Sequence, residues 1–129
     1  MQAVDTNVLV RALTLDDPTQ SPAAEAFIRD HAPVWVSHVV LLETVWVLES
    51  VYDCGKAQLI AAMTRILDNK ELHVEEPPVV RAALALYQSR AKVHFEDCMI
   101  LETARKAGHL PLATFDKALG KVEGTHLVS

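Results

Sequence analysis

Aromatic residues make up only 5% of the chain and cysteine occurs just twice in 129 residues. With so few rings, a core has to be built from Ala, Val and Leu, which the 50% hydrophobic content allows. Cys54 and Cys98 lack CxxC spacing, the first before a glycine and the second inside an apolar helical pattern, as expected where thiols stay reduced. No apolar run approaches the roughly 18 residues that span a bilayer. The opening Met1 to Val10 carries Asp5 and Asn7 within its apolar stretch, unlike a secretory leader. These absences imply a soluble, cytoplasmic protein with no membrane partner. A basic surplus is also missing: 12 Lys and Arg against 17 Asp and Glu give a formal charge of −5. This argues against tight non-specific binding to nucleic acid, which rests on cations neutralising phosphates. It does not exclude a nuclease, because an enzyme that gathers carboxylates around divalent cations has a negative count before the metals arrive.

Repeats, low-complexity tracts and linkers are absent too, and the length suits a single domain over residues 1–129 with its own core. The surplus of aliphatic residues hints at a surface covered by a partner. What is present is an alternation of short strands and helices. Gln2 to Val4 reads as a strand ending at Asp5, then Asn7 to Leu15 as a helix stopped by Asp16-Asp17-Pro18. Ser21-Pro22 opens a helix to about His31, with Ser as cap and Pro at the first helical position. Val34-Trp35-Val36 is a strand, and Ser37 caps a helix to about Tyr52. Lys56 to Asp68 is a helix with Leu59, Ile60, Met63, Ile66 and Leu67 on one face. Leu72 to Val74 is a strand and Pro77-Pro78 starts a helix carried by Val80, Ala83, Leu84 and Tyr87. Phe95 to Ala107 is a helix with Cys98, Ile100, Leu101 and Ala104 inward, stopped by Gly108. Leu112 to Phe115 is a strand, a short helix follows from Asp116, and Thr125 to Val128 is the last strand. Strands separated by helices imply an α/β fold with a parallel sheet covered on both faces.

In such sheets ligands bind at the carboxyl ends of the strands. Asp5 ends the first strand and Asp116 follows a later one, so both are placed at that edge, although each also suits a helix cap. Glu43 lies in a helix that is apolar on nearly every face. A buried carboxylate needs a partner, either a metal or an arginine such as Arg11, Arg65 or Arg90. Asp97, beside Glu96, occupies the first turn of its helix, where the dipole alone would favour a negative charge, but Ile100 and Leu101 place it nearer the buried face. Four acids at one strand edge would repel each other unless cations intervened, and hard oxygen donors select Mg²⁺ or Mn²⁺. Two such ions about 4 Å apart activate water and stabilise both oxygens of an in-line phosphodiester displacement.

Val4-Asp5-Thr6-Asn7-Val8-Leu9-Val10-Arg11, Leu42-Glu43-Thr44, Phe95-Glu96-Asp97 and Thr114-Phe115-Asp116 together resemble PIN-domain nucleases, closest to the VapC-type toxins of toxin–antitoxin pairs. The resemblance runs over essentially the whole chain. It implies a three-layer α/β/α sandwich with a central, mostly parallel sheet, and an Mg²⁺- or Mn²⁺-dependent endoribonuclease. Asp5, Glu43 and Asp97 match the principal metal ligands and Asp116 the more variable fourth acid; Asn7 and Thr114 match polar positions that orient the site. It further implies a homodimer restrained by an antitoxin, with any DNA binding belonging to the complex. His94 stands where an Asp is common in the family; it either replaces an outer-shell acid or caps the helix, and the second reading is preferred. The other histidines have no ligand spacing. RNA contacts are expected from Arg11, Arg105 and Lys117, and single-stranded or looped RNA is the default substrate.

Two rivals remain. A phospho-receiver module has similar length and an acidic strand-end pocket, but pairs two acids after its first strand and needs one after the third, whereas Asp5 is alone and no acid follows Val36; a dehalogenase-like phosphatase needs an Asp where Asn7 stands. The alternative within the PIN fold is ribosomal RNA processing or DNA cleavage.

Overall fold

The first apolar segment pairs for a single residue. In the computed structural model, which describes residues 1–129, Ala3 makes one parallel bridge to Trp35. Val4 N donates to Trp35 O (3.1 Å) and Trp35 N to Gln2 O (2.7 Å). The chain then leaves for α1 (Thr6–Thr14) because Asp5 caps it: Oδ1 accepts from Asn7 N at 3.1 Å and Val8 N at 3.4 Å. Leu9 and Val10 are its buried residues.

Two compact units divide the chain, Met1–Glu75 and Glu76–Ser129. In the first, α1 packs against α2 (Gln20–His31) and α3 (His38–Ser50), and α4 (Lys56–Asp68) packs against α3 and β2 (Leu72–Val74). The start of α2 departs from the sequence reading. Ser21 is not its cap but lies buried in the first turn, its Oγ accepting from Asp17 N (3.3 Å). Asp17 serves instead, accepting from Gln20 N (2.6 Å) and Thr19 N (2.9 Å). Those bonds, Gln20's foremost, hold its carboxyl below the usual range. Ser37 does cap α3, accepting from Val40 N at 3.1 Å.

β1 (Val34–Val36) runs parallel to β2, with Val34 opposite Leu72 and Val36 opposite Val74. All four are buried, each contributing about 1.5–3 kcal/mol by leaving water. Continuing these registers by two residues puts Asp5 level with Ser37, and Ser37 level with Glu75. The carboxyl edge of the pair is tied by His38, whose N donates to Glu75 Oε1 (2.9 Å) and whose Nε2 lies 2.6 Å from Glu75 O.

In the second unit α5 (Pro77–Ser89) packs on α6 (Phe95–Ala107), and Val80, Ala83, Leu84 and Tyr87 of the first and Cys98 and Leu101 of the second are buried. Tyr87 meets Phe95 edge to face at 5.7 Å. One inward assignment fails: Ile100 is 50% exposed and Met99 is buried. Acids in the first turn and Arg105-Lys106 in the last complement the dipole of α6. Gly108 ends it at φ 83, where a Cβ would be strained. β3 (Leu112–Thr114) pairs in parallel with β4 (Thr125–Leu127) across a single 3-10 turn, Leu119–Lys121. Helices alternating with parallel strands are the expected α/β class. Ladder bonding forms two parallel pairs, one in each unit, rather than a continuous sheet. No helix is long and apolar enough to cross a membrane.

Candidate functional site

The candidate acids fall into two pairs by unit. In the first unit, Asp5 is exposed at the head of α1. Its Oδ1 takes both capping bonds, which leaves Oδ2 outside the cap. Glu43 is exposed as well, and this overturns the burial argument made for it. The helix is apolar in composition, but Glu43 lies on the side of α3 that also carries Val39 and Trp46, 68% and 66% exposed. Its hydrogen-bond partner is Thr6 rather than an arginine: Thr6 Oγ1 donates to Glu43 Oε1 at 3.3 Å. Thr6 thus bridges the segment that begins at Asp5 to the acid on α3. Sequence reasoning passed over it, although its place between Asp5 and Asn7 was the available signal.

In the second unit, Asp97 sits half-buried in the first turn of α6. Its carboxyl is pushed above the usual range, first by burial, then by the charges of Glu96 and Asp116; His94 opposes the shift. Desolvation and like charge thus outweigh the opposing effects of His94. The field of Asp116 places it near Asp97. Its turn is fixed from both sides: Asp116 N donates to Thr114 Oγ1 (3.0 Å), and Leu119 N donates to Asp116 Oδ1 (3.0 Å). His94 occupies the N-cap position of α6, as read from the sequence, although its side chain makes no capping bond. Its ring charge and its backbone both oppose the upward shift at Asp97.

Of the cations assigned to RNA, two are engaged internally. Arg11 donates through Nε to Gln20 Oε1 (2.8 Å) and lies 3.6 Å from Asp16. Arg105 donates to Glu102 Oε1 (3.2 Å) and to Glu123 O (2.9 Å). Lys117 is exposed, and so is Asn7, whose backbone N serves the cap of Asp5.

Within either unit, no three His, Cys, Asp or Glu side chains converge closely enough to hold a metal ion. No buried side-chain nitrogen or oxygen lacks a partner, so the interior holds no unused polar ligand and spare donor capacity lies in the exposed acids. What each unit offers is a pair of hard oxygen donors. The Asp97–Asp116 pair carries like-charge repulsion that a divalent cation would relieve.

Comparison with known proteins adds to this geometry. The model of the PIN domain family matches residues 3–124. The VapC ribonuclease of Aquifex aeolicus (strain VF5) is 26% identical over 125 residues, 95% of this chain and 92% of the relative. The crystal structure of Mycobacterium tuberculosis VapC20, a Sarcin-Ricin loop cleaving toxin, is 20% identical over 98% of each chain, with a TM-score of 0.45.

Proposed function

This chain belongs to the PIN-domain family, and from that premise we propose that it is a divalent-metal-dependent endoribonuclease, the toxin of a toxin–antitoxin pair. The observation that carries the reading is the match of the PIN-domain model over residues 3–124, and the like charges that Asp116 and Glu96 bring to bear on Asp97 support it. The family match removes the phospho-receiver alternative. The VapC ribonuclease relative, matched along nearly its whole length, favours RNA over DNA and supports an antitoxin partner.

Asp5, Glu43, Asp97 and Asp116 would hold Mg²⁺ or Mn²⁺, since carboxylates alone select these over softer ions. When bound, the metal supplies an activated water and charge stabilisation for phosphodiester displacement. The chain's own residues do the positioning. The α1 amides fix one oxygen of Asp5 and leave the other for a ligand. Thr6 orients Glu43, and Thr114 and Leu119 hold the Asp116 turn. Asp97 has to be ionised to act as a ligand, so its raised affinity for a proton makes metal and proton competitors there. The family resemblance also supports a cytoplasmic homodimer whose DNA binding, if any, comes from the antitoxin.

The test is cleavage of a mixed pool of structured RNAs by the purified chain with Mg²⁺, Mn²⁺ or EDTA, beside folded Asp5→Asn and Asp97→Asn variants. Cleavage that needs metal and is lost in both variants is expected. Metal-independent cleavage, or full activity in either variant, would overturn the assignment.

A further inference from the structure

Phe115 is 78% exposed, the most exposed large hydrophobic side chain in the protein. Water contact over most of a phenyl ring is unfavourable by the usual transfer scale, and the ring stands between Thr114, at the end of β3, and Asp116. The backbone that carries it is rigid. Asp116 N is held by Thr114 Oγ1, Gly120 N donates to Asp116 O (2.9 Å), and Val128 N donates to Thr114 O (2.7 Å). Lys117, also exposed, follows Asp116. An aromatic face, an acid and a cation therefore occupy three consecutive positions on one fixed turn.

The charge balance gives this aromatic a task. A protein of net charge −5 gains little from phosphate neutralisation, and Arg11 and Arg105 are tied to Gln20, Asp16, Glu102 and the Glu123 carbonyl. Contacts to the bases would add affinity that this charge balance opposes. Stacking on an exposed, preordered ring is the sequence-tolerant way to obtain it. Resting on the ribonuclease reading above, we propose that Phe115 is the stacking platform for one unpaired RNA base next to the scissile phosphate, with Lys117 meeting a neighbouring phosphate. Phe115 is thus a positioning residue for substrate, and unpaired bases in loops or single strands are the ligand class.

The probe is a uridine oligoribonucleotide carrying a single 2-aminopurine, whose fluorescence falls when the base stacks. It is titrated without divalent metal into the wild-type chain and into Phe115→Leu and Phe115→Trp, all checked for equal thermal stability. Wild type and Phe115→Trp should quench, while Phe115→Leu, equally apolar but without a π face, should lose the quench and bind about 5- to 100-fold more weakly. In cleavage assays with metal the same variant should raise KM and leave kcat nearly unchanged. Absence of quenching by wild type, or equal quenching and affinity in Phe115→Leu, would overturn the stacking site. Quenching that depends on Phe115 while wild type fails to cleave any RNA with Mg²⁺ or Mn²⁺ would retain the site and reject the ribonuclease reading.

Discussion

Asp5 performs two jobs with two oxygens, and substitution separates them. Asn caps a helix about as well as Asp, whereas Ala does not cap at all. Asp5→Asn should therefore keep urea stability within about 0.3 kcal/mol of wild type while abolishing metal-dependent cleavage; Asp5→Ala should also lose about 1 kcal/mol. Equal destabilisation by both would mean that the ionic charge, not the cap, holds α1. At Asp97 the sign of the pH effect follows from a folded-state proton affinity raised above the ordinary value of 3.8. Folding takes up a proton between 3.8 and that higher value, so this group's contribution is most favourable below 3.8 and is lost as pH rises through the interval. In EDTA at neutral pH, Asp97→Asn should melt at a higher temperature than wild type, and the difference should vanish on acidification below the ordinary carboxylate range. A lower melting temperature at neutral pH would show that the helix dipole dominates. The places of Asp5 at the head of α1 and of Asp97 in the first turn of α6 were both legible in the sequence, because cap and helix-start signals are local. The setting of Glu43 was not: residue types alone do not say which side of an apolar helix faces water, and Thr6 rather than an arginine meets it.

Among the elements, those with strong punctuation were read to the residue. α4 and α6 lie within the bounds that Gly55, Asp68 and Gly108 mark, because a glycine or a capping side chain acts locally and leaves a local signature. Periodicity was weaker evidence where apolar residues are adjacent. In Met99-Ile100-Leu101 all three are candidates for the core, and only tertiary packing decides that Met99 and Leu101 are buried and Ile100 is half-exposed. Met99→Ala should accordingly cost about 2–5 kcal/mol, and Ile100→Ala no more than about 0.5 kcal/mol. Paired urea melts of the isolated chain measure this, and the reverse order would contradict the described register of α6. The start of α2 was misplaced for a related reason. Ser21 before Pro22 is a good local cap, but Asp17 competes from further back with two backbone bonds.

For the molecule as a whole, the parallel order of strands was legible from the strand–helix alternation, since parallel partners need crossover connections. The division of ladder bonding into two pairs was not, because a three-residue strand shows its pairing only through the neighbours it finds. Charge has a consequence at this scale as well. With −5 overall and two candidate cations engaged internally, RNA affinity in the absence of metal should depend weakly on salt. A slope of log K against log salt near that for one or two phosphate contacts, about −0.7 to −1.4 for a single strand, is expected from binding titrations at several ionic strengths. A slope several times steeper would reveal a cationic surface that the structure does not suggest. The central proposal is that Asp5, Glu43, Asp97 and Asp116 serve as ligands of a divalent metal. Its most direct measurement is calorimetric titration of Mn²⁺ into the purified chain and into folded Asp5→Asn, Glu43→Gln and Asp97→Asn variants. The account predicts binding by wild type that is weakened in all three variants; no heat of binding by folded wild type, or weakening confined to Asp97→Asn, would contradict it.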